Sequence, residues 1–74
     1  DPNNLDSLFE MAVALYGKGD IATSFELLLK LIEKDKEWND QAARKQLIEF
    51  FSSAGFDAKE TINARRKLAS LLFS

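Results

Sequence analysis

Proline and glycine occur at only a few positions, and these positions divide the chain into four uninterrupted stretches. Pro2 lies near the start, Gly17 and Gly19 flank a short connection, and Gly55 interrupts the second half. The polar segment 35–40, around a single tryptophan, is a further break. The stretches between the breaks are rich in Ala, Leu, Glu, Lys and Arg, which have high helix propensity. No period-2 alternation competes, so the pattern predicts an all-α fold of four helices.

The expected ends of the first two helices carry residues that cap helices. Asn4 and Asp20 each precede an apolar periodic run, and both side chains can accept a hydrogen bond from a free backbone N–H of the first turn. Gly17 or Gly19 can end the first helix in a left-handed conformation. These residues predict helices that begin after Asn4 and after Asp20.

The third and fourth helices have capping candidates as well. Asn39 or Asp40 can cap the third helix. The run from Asp57 to Glu60 resembles a capping box for the fourth helix, with Asp57 as the cap. The sequence therefore predicts short connections between all four helices.

The apolar residues of the first helix fall on two faces, so this helix is expected to have neighbours on both sides. The second helix is similar, whereas the third and fourth are amphipathic with one apolar face each. The apolar rows in the first helix are Leu5, Leu8, Ala12 and Leu15, with Met11 beside them, and Phe9, Val13 and Tyr16. In the third helix the face is Ala43, Leu47, Phe50 and Phe51, and in the fourth Ile62, Ala69 and Leu72 near Leu68.

Composition and charge exclude several classes of function. The chain has no cysteine or histidine, which removes disulfides and the usual zinc ligands, and we expect no metal or cofactor. The net charge of −2 gives no reason to expect nucleic acid. No apolar run approaches a membrane span, and no secretory signal pattern is present, so a cytoplasmic protein is expected. With no phosphate loop or catalytic constellation, the chain is expected not to be an enzyme.

The first two helices resemble a tetratricopeptide repeat, a 34-residue helix-turn-helix unit. The Gly19-Asp20 turn fits that pattern, and small residues, Ala12 and Ser24, lie where the two helices approach closely. Two residues depart from the pattern. Leu31 replaces the usual small residue late in the second helix, and Lys36 replaces the usual closing proline. The resemblance implies residues 1–4 as the tail of a preceding repeat, residues 5–35 as a repeat-like helix pair, and residues 36–74 as a degenerate C-terminal capping pair. It implies a short right-handed solenoid of two antiparallel helix pairs, with upstream helices in the parent chain.

The second half is similar to the C-terminal region of bacterial thioredoxin-like co-chaperones, which join a thioredoxin domain to tetratricopeptide repeats. In that family the thioredoxin domain lies upstream and binds unfolded clients, and the protein docks on the chaperonin through its C-terminal end. The resemblance implies a protein-binding module with a chaperonin or client partner. The runs that carry it are 35–40, 43–47, Phe50, Phe51, Gly55 and 65–73.

Phe9, Val13 and Tyr16 form the first candidate site. They occupy positions that line the concave groove of tetratricopeptide repeats, where an apolar peptide or helix can bind. The alternative is that they pack on upstream helices of the parent chain. Both can hold in part, because repeats use one face for neighbours and another for ligands.

The second candidate site is at the end of the fourth helix. Leu68 and Leu72 are expected to pack on the third helix, which leaves Leu71 and Phe73 as an exposed pair for docking. Arg65 and Arg66 belong to a basic stripe on the fourth helix. This stripe either faces solvent or contacts an acidic partner, and in the second case the two arginines are part of the docking site. Trp38 is expected to pack on Ala42 or Ala43, or to cover the end of the second helix.

Two other functions fit the same residues. The chain can be a tetratricopeptide scaffold for a different partner, or a structural segment that stabilises an upstream domain or a homodimer. Sedimentation distinguishes these functions, because a segment that forms a homodimer should show a mass that depends on concentration.

Overall fold

The structure, a computed structural model, describes residues 4–73 and confirms the all-α prediction. It contains no strand in this range, and one helix, α2, packs against the other three. Residues 1–3 of the expected repeat tail and residue 74 of the expected capping pair lie outside the described residues. The helices are α1 (Leu5–Gly17), α2 (Ile21–Lys34), α3 (Trp38–Ala54) and α4 (Lys59–Leu72).

The turn between α1 and α2 is closed by two backbone hydrogen bonds. The N–H of Gly19 donates to the carbonyl of Tyr16 at 3.0 Å, and the N–H of Asp20 donates to the carbonyl of Leu15 at 2.9 Å. This pair of bonds defines a Schellman motif, which needs a residue with positive φ at the position of Gly19. Gly19 has φ +94°, so the predicted left-handed glycine is confirmed at this position.

The caps predicted for α1 and α2 are both present. Asn4 Oδ1 accepts a hydrogen bond from the N–H of Ser7 at 3.1 Å, and Asp20 Oδ1 accepts one from the N–H of Thr23 at 3.3 Å. Each cap satisfies one of the free N–H groups of a first helical turn. The starts of both helices are therefore confirmed.

The start of α3 differs from the prediction. Its N-cap is Glu37, which makes no side-chain capping bond, and the expected caps Asn39 and Asp40 lie inside the helix. Asn39, Asp40 and Gln41 have positive φ values of 48°, 57° and 62°. Asn and Asp tolerate this left-handed region better than most residues, so the two side chains accommodate a left-handed turn where we expected a cap. Right-handed helix follows Gln41.

The capping box predicted for α4 is wrong as well. The N–H of Ala58 donates to the carbonyl of Gly55 at 3.1 Å, which closes a turn that contains Asp57. Ala58 is therefore the N-cap, in an extended conformation and without a side-chain capping bond, and Asp57 lies one residue too early. Gly55 allows this turn because its φ of +105° lies in the region that favours glycine.

The close approach of α1 and α2 occurs where small residues predicted it. Ala12 and Ser24 are completely buried, and Ser24 Oγ donates a hydrogen bond to the carbonyl of Ala12 at 2.7 Å. The hydroxyl of Ser24 therefore has a partner at a helix contact too tight for a larger side chain. Leu31, the departure from the repeat pattern, is also buried.

The core contains residues of all four helices. Its residues agree with the prediction in α3 and differ from it in α4 and α1. In α3, Ala43, Leu47 and Phe51 are buried as predicted. In α4 the buried face is Thr61, Ala64 and Leu68, whereas Ile62 and Ala69, which we expected beside Leu68, are exposed. Met11 is also exposed, although we expected it among the packing positions of α1.

Candidate protein-interaction surface

The aromatic residues of the α1 stripe are covered by α3 of the same chain. Phe9 contacts Trp38, with ring centroids 5.4 Å apart and the rings tilted by 46°. Tyr16 stacks on Phe50, with centroids 3.8 Å apart and an angle of 3° between the rings. The Tyr16 hydroxyl also donates to the backbone carbonyl of Phe50 at 3.4 Å. Phe9 and Tyr16 therefore pack on residues of this chain, whereas the alternative to groove binding gave them upstream helices of the parent chain as partners.

Phe25 of α2 connects the stacked pair to the core. Its ring lies 6.3 Å from Tyr16 and 6.5 Å from Phe50, and it meets Phe51 edge to face at 5.2 Å. Offset and edge-to-face aromatic pairs each add about 0.5–1.5 kcal/mol beyond the area they bury. This cluster joins α1, α2 and α3, so Tyr16 belongs to the packing of the fold.

Val13 is the member of the α1 stripe that remains accessible. Its side chain is 40% exposed, whereas Phe9 and Tyr16 are half-buried. Trp38 and Phe50 were not predicted to cover the stripe, because that contact depends on how α3 crosses α1. A groove along Phe9, Val13 and Tyr16 is thus reduced to one exposed side chain.

The end of α4 divides into an anchored part and an exposed part. Leu68 is buried, and Leu71 and Leu72 are half-buried against the core. The predicted exposure of Leu71 is therefore wrong, because it follows Leu68 by one turn and shares its buried face. Phe73 is 86% exposed, as predicted.

Five exposed residues follow one another along the far side of α4. They are Ile62, Arg65, Arg66 and Ala69 of α4 and its C-cap residue Phe73, and the spacing i, i+3, i+4, i+7 and i+11 places them on one side of the helix. We call this surface the α4 outer face. It combines two large apolar side chains with two arginines.

Arg65 has an aromatic contact next to the α4 outer face. Its guanidinium carbon lies 5.8 Å from the centre of the Phe56 ring, within the range of a cation–π interaction. Phe56 is itself exposed, so this contact leaves the charge of Arg65 accessible. The structure thus brings together Arg65, Arg66 and Phe73 of the predicted site, and it separates Leu71 from them.

A cleft of about 290 Å³ between α2 and α4 was not predicted. Its lining includes the apolar residues Phe25, Leu29 and Ala64 and the basic residues Lys59 and Lys67. Its existence depends on the packing of two helices that are distant in sequence, so no local pattern indicates it.

Neither a membrane-spanning helix nor a metal-binding cluster is found in the part of the chain that the structure describes. None of the helices there has the length and apolar character needed to cross a membrane. Within residues 4–73, no three His, Cys, Asp or Glu side chains are grouped in a way that could hold a metal ion.

The comparisons with known proteins define the class of this protein. A tetratricopeptide-repeat family model matches residues 1–73. The chain therefore belongs to the tetratricopeptide-repeat family, whose members generally act as non-catalytic scaffolds for protein–protein interaction. Comparison with curated proteins and with solved structures gave no match.

Proposed function

We propose that this chain binds partner proteins through the α4 outer face, as the C-terminal repeat region of a bacterial thioredoxin-like co-chaperone that docks on the chaperonin. Membership of the tetratricopeptide-repeat family supports protein binding in general. The resemblance of 35–40, 43–47, Phe50, Phe51, Gly55 and 65–73 to such co-chaperones supports the particular partner. In this proposal the protein acts in the bacterial cytoplasm and uses neither nucleic acid nor membrane.

The exposure of Phe73 is the observation that carries the proposal. A phenylalanine that is 86% exposed has an unfavourable contact with water that a partner can remove. The helix before it is fixed in the core by Leu68, so binding does not have to order the segment that presents Phe73. Aromatic anchors of this kind dominate the energy of many interfaces.

Arg65 and Arg66 give the α4 outer face a charge as well as an apolar surface. Both are exposed, and neither takes part in an ion pair within residues 4–73. Arginine is enriched at interfaces, and unpaired cations there attract acidic partners and accelerate association. The partner surface that fits best is apolar with acidic residues around it.

The exposed part of the α1 stripe gives less support to groove binding. Phe9 and Tyr16 already contact Trp38 and Phe50, so a peptide would have to displace these rings to reach them. Val13 alone offers little apolar area. A scaffold with a different partner is the alternative, and it too would use the α4 outer face.

Binding of purified bacterial chaperonin to the immobilised chain tests the proposal. Deletion of residues 68–74 is unsuitable, because it removes Leu68 from the core. Phe73→Ala leaves the core intact, and we expect it to weaken binding by about 2 kcal/mol, the size of a typical hot spot. Val13→Ala, also a truncation of an exposed apolar side chain, is the matched control and should bind as the wild type does. Equal binding by all three proteins, or no binding by folded wild type, contradicts the proposal.

A further inference from the structure

We infer that copies of this chain associate end to end, with α1 of one copy against the α4 outer face of the next. Both surfaces expose apolar side chains, and they carry opposite charge. This inference goes beyond the proposed function, because it concerns a second copy and needs no chaperonin.

The exposed side of α1 is acidic and partly apolar. Met11 is 56% exposed and Val13 is 40% exposed. Asp6 and Glu10 lie on the same side and are exposed, and α1 contains no basic residue. Neither carboxylate forms an ion pair within the described residues. We call Asp6, Glu10, Met11, Val13 and Ala14 the α1 outer face.

The charged side chains of α4 are mostly basic, opposite in sign to those of α1. Of its charged residues, four are basic and one, Glu60, is acidic. Arg65 and Arg66 lie between Ile62 and Phe73 on the α4 outer face, so apolar side chains flank the two cations there. On the α1 outer face the carboxylates of Asp6 and Glu10 lie in the first half of the helix, and the apolar residues follow them. Docking one face on the other pairs the charges and buries the apolar residues together.

Charge also decides how two copies are oriented. A contact between two α1 outer faces would place four carboxylates in one interface, and a contact between two α4 outer faces would place four arginines there. Like charges in contact cost several kcal/mol, so a two-fold contact of either face with its own copy is disfavoured. The α1-to-α4 contact is head to tail, and it leaves a free face at each end for further copies. Such a contact resembles the stacking of successive repeats within a helical solenoid, where each repeat packs on its neighbours.

The second copy would cover Phe73, the residue on which the proposed docking depends. Self-association and partner binding would therefore compete for the α4 outer face. The two ideas can fail separately, because self-association is measured on the pure chain and chaperonin binding on dilute, immobilised chain.

Sedimentation velocity with exchanged charges tests the inference. The wild type should show a mass that rises with concentration, and added salt should weaken the association because exposed charges are screened. Arg65→Glu with Arg66→Glu makes both faces acidic, and Asp6→Lys with Glu10→Lys makes both faces basic. Each double variant alone should associate at least about ten-fold more weakly, a loss of about 1.4 kcal/mol. Their equimolar mixture should associate again, with the two variants alternating.

A control variant separates a specific contact from an effect of net charge. Lys30→Glu with Lys36→Glu changes the net charge as much as the arginine variant does, but both residues lie outside the two faces. It should associate like the wild type, and circular dichroism should show that all variants remain helical. The inference is overturned if the wild type stays monomeric at low salt, if a folded double variant associates as the wild type does, or if the mixture stays monomeric.

Discussion

Tyr16 and Phe50 lie face to face between α1 and α3, with their ring centroids 3.8 Å apart. The hydroxyl of Tyr16 donates to the backbone carbonyl of Phe50 at 3.4 Å, so the same two residues share a ring contact and a hydrogen bond. Tyr16, which we predicted at a groove position of the repeat, therefore belongs to the packing of the fold. In the proposed function, binding therefore uses a surface that α3 does not cover.

The first prediction concerns this pair. Phe50→Ala removes the stacked ring from a half-buried position and should lower the free energy of unfolding by about 2 kcal/mol. Tyr16→Phe removes only the hydroxyl and should cost about 0.5–1.5 kcal/mol. Phe56→Ala, a truncation of an exposed ring, is the control, with an expected change within about 0.5 kcal/mol. Urea unfolding followed by circular dichroism measures all three, and equal effects of the two alanine variants would refute the stacking.

The second prediction concerns Thr61, whose buried Oγ1 has no hydrogen-bond partner within residues 4–73. A buried hydroxyl without a partner is destabilising, and valine has nearly the same shape without it. Thr61→Val should therefore raise the free energy of unfolding by about 1 kcal/mol. Thr61→Ser, which keeps the hydroxyl and loses the methyl group, should lower it. A thermal midpoint for Thr61→Val below that of the wild type would contradict this description of the site.

The third prediction compares two aspartates that look like caps in the sequence. Asp20 accepts a bond from the N–H of Thr23, whereas Asp57 lies in a turn before α4. Asp20→Ala should cost about 1 kcal/mol, as is usual when a capping residue is lost. Asp57→Ala should change stability by less than about 0.5 kcal/mol. If both variants lose the same amount in chemical denaturation, Asp57 caps α4 in solution.

The fourth prediction concerns the left-handed turn in α3. Gln41 has a φ of 62°, a region that is unfavourable for residues with a Cβ and favourable for glycine. Gln41→Gly should therefore stabilise the chain by about 0.5–1 kcal/mol. Gln46→Gly lies in the right-handed part of α3 and should destabilise it by about 1 kcal/mol. A loss of stability in both variants would show that residues 39–41 are right-handed in solution.

The fifth prediction separates the two residues that we expected to be exposed together. Leu71 is half-buried against the core, so Leu71→Ala should lower the free energy of unfolding by about 1–2 kcal/mol. Phe73 contacts little, and Phe73→Ala should change it by less than about 0.5 kcal/mol. Thermal unfolding of the two single variants is sufficient. A large loss for Phe73→Ala would place this ring in the core and remove the basis for docking.

The features that could be predicted from the sequence are those with a local cause. A capping side chain and the N–H that it accepts are three residues apart, so Asn4 and Asp20 were recognised. Gly19 was one of two glycines predicted for the left-handed position, because few other residues adopt that backbone conformation. The buried pair of Ala12 and Ser24 followed from the repeat pattern, although their hydrogen bond did not.

The features that were missed depend on packing between helices. Phe9 and Tyr16 belong to an apolar stripe whichever neighbour covers it, and the sequence does not specify that α3 supplies Trp38 and Phe50. The buried face of α4 was misassigned because Thr61 contributes to it and Ile62 does not. The exposure of Leu71 was also misassigned, because Leu68, Leu71, Leu72 and Phe73 are all apolar. The sequence alone does not show which of them face the core.

The measurement that tests the central claim most directly is photo-crosslinking to purified chaperonin. p-Benzoylphenylalanine is placed at position 73 in one sample and at position 13 in another, and each protein is checked for helicity. Phe73 and Val13 are both exposed, but Val13 lies within α1 and Phe73 directly follows the last residue of α4. We predict a crosslink from position 73 and none from position 13. A crosslink from position 13 alone, or none from either folded protein, would contradict docking through the α4 outer face.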